Sequence, residues 1–127
     1  MFYLFKTFTQ MKILLNKTSL TKSLGPFDDI GFVPTMGSIH KGHLSLINRS
    51  NQDCNKTIVS IFVNPKQFDN KKDFKTYPRN IKKDLQLLNR TKKVDFIYIP
   101  KAKDIFNNKK LKIKLDRKDK ILCAKFR

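Results

Sequence analysis

Apolar and polar positions along the chain change their period in a regular order. Residues 30–33 form a short apolar run closed by Pro34, residues 57–63 read "TIVSIFV", and residues 94–99 read "VDFIYI" before Pro100. Runs this short, rich in β-branched and aromatic residues, suit strands covered on both faces. Helical patterns lie between them. Leu44, Leu46 and Ile47 fall within one turn after Gly42, and Ile81, Leu85 and Leu88 repeat at i, i+4 and i+7 after Asn80, which predicts an N-cap. Strand, helix, strand, helix, strand is the pattern of a parallel sheet with right-handed crossovers, so the expected class is α/β, a Rossmann-like doubly wound sheet. Residues 71–79, "KKDFKTYPR", read as a long polar connection, and the opening 1–15 as an N-terminal strand or helix, with Met11 as an alternative start.

The expected domain covers 1–106, and 107–127 is expected to be a basic tail or edge strand around an alternating run at 111–115. The chain has 127 residues, room for one ordinary domain. Its 28 Lys and Arg against 10 Asp and Glu give a formal charge of +18, which favours anionic partners without saying which. Arginines are few: Arg49, Arg79, Arg90, Arg117 and Arg127, and the lysines read mainly as a solvated surface. Cys54 and Cys123 are isolated, which argues against a secreted disulfide framework and for a cytoplasmic setting, where both serve as small core or edge residues. The apolar start is broken by Lys6, Gln10 and Lys12, too short to span a membrane.

The candidate chemistry lies in "PTMGSIHKGHLSL", residues 34–46. A loop leaving a strand at Val33, with Gly37 and Gly42 before a helix, sits at the carboxyl end of a parallel strand, where open α/β sheets bind ligands. Free N–H groups at the helix start would form an anion site, and glycine lets a phosphate approach the main chain. The Gly37 to Gly42 spacing matches part of a P-loop, but His43-Leu44 stand where that motif needs Lys and Ser or Thr. Imidazoles then remain as the phosphate-facing donors. Two alternatives stand beside this: half of a zinc site, which lacks a carboxylate or cysteine at ligand spacing, and histidines that merely cap a turn. A second polar cluster, Asn64, Pro65, Lys66 and Gln67, follows the next strand and is expected on the same edge, with amides suited to a ligand carrying hydroxyls or a carboxylate.

Four ordered blocks then carry a resemblance. "FVPTMGSIHKGHLSLI" (32–47), "VSIFVNPKQF" (59–68), "YPRNIKKDLQLL" (77–88) and "VDFIYIPKAKDIF" (94–106) resemble the pantothenate synthetases, the pantoate–β-alanine ligases of the nucleotidyltransferase superfamily with a His-x-Gly-His signature. The resemblance implies an ATP-dependent ligation through pantoyl adenylate, with magnesium accompanying ATP and no metal held by the protein. It implies that Met36, Gly37, Ser38, Ile39, His40, Lys41, Gly42 and His43 line the ATP site, with His43 and His40 catalytic. Gln67, Asn64, Tyr77, Pro34 and Thr35 are the implied substrate contacts. A homodimer is implied, with pantoate, β-alanine and ATP as small-molecule partners, neither nucleic acid nor membrane. Family members carry further blocks, a Gly-Glu-Lys-Asp segment, a Met-Ser-Ser-Arg loop and a smaller C-terminal domain. The chain is accordingly expected to hold the N-terminal portion, with full turnover in question. Two alternatives stand beside it: a basic nucleic-acid-binding module, which needs lysines gathered on one face with aromatics between them, and an adenylyltransferase for another acceptor, against which "VNPKQF" and "YPR" speak.

Overall fold

The computed structural model describes residues 10–106. Four strands form one sheet in the order β1-β4-β3-β2, every neighbouring pair parallel: β1 (Lys12–Leu14), β2 (Ile30–Thr35), β3 (Lys56–Ile61) and β4 (Phe96–Tyr98). Five helices accompany them, α1 (Lys17–Leu24), α2 (Lys41–Asp53), α3 (Lys71–Thr76), α4 (Ile81–Thr91) and α5 (Ala102–Ile105), with a 3₁₀ turn at Pro65–Gln67.

Alternation along the strands divides the core in two. Val33, Val59, Ile61 and Ile97 face Ile47 of α2 and Leu88 of α4, whereas Ile58, Phe96 and Tyr98, with Leu14, face Leu20 and Leu24 of α1. The chain therefore crosses from one sheet edge to the other through α1 on one face, then returns from β2 to β3 to β4 with α2 and α4 on the other. Opposite directions on opposite faces preserve one crossover hand, which is what doubly wound means. The α/β class is thus observed.

The structure departs from the sequence reading in several places. Pro34 does not close β2, which continues to Thr35; the strand lies at the sheet edge, where a missing N–H is tolerated. Residues 71–79 are not all connection, because Asn70 accepts the Asp73 N–H at 2.8 Å and starts α3. Only Phe74 is apolar within that helix, so no 3.6-residue stripe announced it. Helix α2 begins at Lys41, ahead of Gly42, and Ile81 of α4 stays 44% exposed, its place in the buried stripe taken by Asp84. Asn80 does cap α4, accepting the Lys83 N–H at 3.1 Å. Residues 102–105 form the short α5 where no element was expected; the tail at 107–127, its 111–115 run and Cys123 lie outside the described residues. Cys54 caps the end of α2, half-buried, and burial pushes its thiol pKa up.

Packing of α2 on β2 depends on one missing side chain. A Cβ on Gly31 would stand 1.8 Å from Ser50 Oγ, and that hydroxyl pairs with Thr57 Oγ1 at 2.7 Å in the interior. Gly31→Ala is expected to destabilise the fold by about 1–3 kcal/mol through overpacking, read as a lower denaturation midpoint; an unchanged midpoint would contradict this packing.

Candidate active site

Strands β2 and β3 end side by side, and the loops leaving them meet. Thr35 closes β2 by donating its buried hydroxyl to the Ser60 carbonyl at 2.9 Å and accepting the Gly37 N–H at 3.1 Å. The chain then turns sharply, with Gly37 at φ 81° and Ser38 at φ 51°, both left-handed. Such a conformation costs a non-glycine residue roughly 1–2 kcal/mol. It is held from outside: Asp84 of α4, 5% exposed, accepts the Ser38 N–H through Oδ2 and the Ile39 N–H through Oδ1, each at 3.0 Å. Hydrogen bonds to a charged group contribute about 1.5–3 kcal/mol each, so the pair outweighs the strain.

The turn delivers the chain to His40, the N-cap of α2. Its Nδ1 accepts the Gly42 N–H at 3.0 Å, and Nδ1 of His43 accepts the His40 N–H at 3.2 Å. The imidazoles stack, centroids 3.9 Å apart and 31° between planes. Gly42 is required beneath them, since a Cβ there would meet His40 Cε1 at 2.9 Å. A nitrogen that accepts carries no proton, so each neutral ring bears its hydrogen on Nε2, directed away from the helix backbone. Capping, set against ligand donation in the sequence, occupies one nitrogen of each ring and leaves the other uncommitted.

Much of the main chain in this loop is spent internally. The N–H groups of Gly37, Ser38, Ile39, His40 and Gly42 are all taken by side-chain acceptors. The rings themselves leave one donor each, the Nε2–H. Burial holds the His43 pKa below its ordinary value near 6.5, and the neighbouring His40 lowers it further, while Asp84 opposes both.

Opposite the histidines, Asn64 caps the 3₁₀ turn by accepting the Lys66 N–H at 3.0 Å, leaving its amide NH₂ unspent there. Gln67 ends the turn, and Phe68 meets Tyr77 edge-on at 5.4 Å and Phe74 at 5.6 Å, which anchors α3 against the loop. Arg79 secures the same corner, stacking on Phe74 and donating to the Phe74 and Tyr77 carbonyls at 2.8 and 3.0 Å. It is therefore occupied locally.

These elements enclose a cleft of about 560 Å³. Of the residues expected at the site, Pro34, Thr35, Met36, Gly37, Ser38, His40, His43, Asn64, Gln67 and Tyr77 line it. Ile39 turns into the core beside Val33 and Ile47, Lys41 points to solvent, and Gly42 lies under the His40 ring. Ser60 and Phe62 line the cleft too and were not expected. Asp84 was missed as well; the signal was an acid set between Ile81 and Leu85 on the apolar face of a helix. Among the described residues no three His, Cys, Asp or Glu side chains gather to hold a metal ion.

Comparison with known proteins agrees with the geometry. The family described as pantoate-beta-alanine ligase matches residues 4–127. The chain is 40% identical over 111 residues to a pantothenate synthetase of Christiangramia forsetii, covering 87% of this chain and 38% of that protein. It is 41% identical over 122 residues to one of Endomicrobium trichonymphae, covering 92% and 43%. The fold matches the crystal structure of pantoate-beta-alanine ligase from Francisella tularensis complexed with beta-gamma ATP and beta-alanine, with a TM-score of 0.75 and 38% identity over 85% of this chain and 42% of that one. The chain thus spans about two fifths of the length of these relatives.

Two outcomes test the geometry. In an NMR titration, His43 should protonate below its ordinary value near 6.5. The unfolded chain then binds the proton first, so this ring's contribution to stability is complete above that value and is lost as pH falls from it through the lowered pKa. Gly42→Ala gains about 1 kcal/mol of helix propensity and gives up a cap worth about as much, so stability should barely move. The ring-current signature of the stacked pair should nevertheless disappear; a preserved stack in that variant would contradict the close approach.

Proposed function

The chain belongs to the pantoate-beta-alanine ligase family, and on that premise we propose that its cleft serves the ATP-dependent joining of pantoate to β-alanine. In the first step the pantoate carboxylate attacks the α-phosphorus of ATP, forming a mixed carboxylic–phosphoric anhydride and releasing pyrophosphate. In the second the β-alanine amine attacks the acyl carbon; the anhydride bond breaks, AMP leaves, and the nitrogen gives up a proton as the amide forms. The observation that carries the reading is the stacked histidine pair, each Nδ1 spent on a backbone N–H, lining one cleft together with Asn64, Gln67 and Tyr77.

The two imidazoles would donate to phosphoryl oxygens as negative charge moves onto the leaving pyrophosphate, with His43 foremost. Preformed donors need no reorganisation at that moment, and each is worth about 10²–10³ in rate in comparable anion holes. A ring held neutral has another use: it remains a hydrogen-bond donor without binding a bulk proton. Gln67 would hold pantoate and then β-alanine, since a primary amide accepts from hydroxyl or ammonium and donates to carboxylate. Asn64 and Tyr77 would stand beside them. Thr35 has already committed its hydroxyl to Ser60 and Gly37, so it would act by bracing the loop, while Pro34 supplies wall. Magnesium is assigned to the phosphates of ATP, a mode that needs few protein ligands, and no step here runs through it. The homodimer rests on the family resemblance and the cytoplasmic setting on the isolated cysteines; among the described residues no helix is long and apolar enough to cross a membrane.

The test is calorimetric binding of ATP and of pantoate, followed by pyrophosphate release with and without each acceptor. Binding of both ligands and release that depends on pantoate are expected, with His43→Ala reducing release by about 10²–10³-fold. If the unaltered chain binds neither ligand, or if another carboxylic acid replaces pantoate without loss, the reading is wrong.

A further inference from the structure

Asp84 is the one acidic residue among the buried polar side chains described, in a chain that carries 28 basic residues. It does not line the cleft that holds the histidines; it faces the smaller apolar chamber of about 220 Å³ behind Met36 and Gly37. Its two oxygens reach across 45 and 46 positions of sequence to two consecutive amides of the turn that leads into His40. The fit is close on a third atom, because a Cβ on Gly37 would stand 3.0 Å from Asp84 Oδ2. A carboxylate accepts at both oxygens and so can take two amides at once; a carboxamide presents one acceptor and one donor, and the donor would oppose an N–H.

We propose that Asp84 is the positioning residue of this site, fixing from α4 the turn over residues 37–39 so that His40 and His43 present their Nε2–H groups to the cleft, without itself touching substrate. The inference rests on the reading of those two groups as phosphate-facing donors. Charge supplies a second, weaker route of action. His43 feels two titratable or charged groups, His40 beside it and Asp84 on the facing helix, and Asp84 is the one that favours its protonated form.

Asp84→Asn keeps the size and removes the charge. In this variant of the 127-residue chain, hydrogen exchange at the Ser38 and Ile39 amides is expected to quicken by about tenfold or more, the equivalent of one lost charged hydrogen bond. The His43 titration should move to still lower pH, because the opposing charge has gone. A general loss of packing would not produce that direction, since it would relieve burial and raise the value towards the ordinary one. Unchanged exchange at the two amides, or a His43 titration that stays put or rises, overturns the proposal. Should the variant fail to fold, the unaltered chain decides: the Ser38 and Ile39 amides must be protected from hydrogen exchange, and two amides that exchange as freely as in an open loop would refute the clamp. All of these readouts come from the free protein. They therefore fail independently of the ligase reading, which fails when ATP and pantoate do not bind.

Discussion

The site depends on a nitrogen used as a helix cap. At the start of α2 the free N–H groups need acceptors, and two imidazoles supply them through Nδ1. That use settles three further properties at once. It places the proton on Nε2, it turns the rings so that they stack at 3.9 Å, and it demands a residue without a side chain at Gly42. A serine or asparagine would cap as well. Neither would leave a second, oppositely directed donor on a rigid ring, and this is the physical reason for a histidine pair around a glycine at the carboxyl edge of a parallel sheet.

Around this cap the polar groups of the loop are nearly all paired with one another. Thr35 joins β2, β3 and Gly37; Asp84 joins α4 to the left-handed turn; Asn64 and the Phe68, Phe74 and Tyr77 cluster hold the opposite wall. The rigid parts are tied to the sheet and to α4, so the cleft is shaped by elements that belong to the core. The heavy positive charge plays a different part. Arg79 is engaged with carbonyl oxygens and an aromatic face, and the Lys66 ammonium lies 4.1 Å over the Phe106 ring. Neither is a free phosphate clamp in the described region. Most lysines among the described residues are exposed to solvent.

What could be read from the sequence follows from where the signal was periodic. The apolar runs at 57–63 and 94–99 and the Asn80 cap gave β3, β4 and α4, because short apolar runs and capping are local properties. Glycine and histidine at a strand end gave the cleft, since topology alone brings carboxyl ends together. Helix α3 was hidden by a composition with one apolar residue, and its start depends on a single Asn70 side chain. The beginning of α2 was misplaced because glycine reads as a breaker, while here a capping ring covers it. Asp84 went unread for another reason: an acid on an apolar helix face signals burial, but its partners lie 45 and 46 residues away and nothing local says which amides they are. The four quoted blocks nevertheless indicated the family, because they place the groups of one cleft in order along the chain.

The most direct test of the central claim is the nitrogen-15 signature of the two imidazoles in the free protein at neutral pH. In the neutral rings, Nδ1 of both His40 and His43 should resonate as an unprotonated acceptor and Nε2 as a protonated donor. A proton on Nδ1 of either ring, or an equal mixture of tautomers, would contradict that claim.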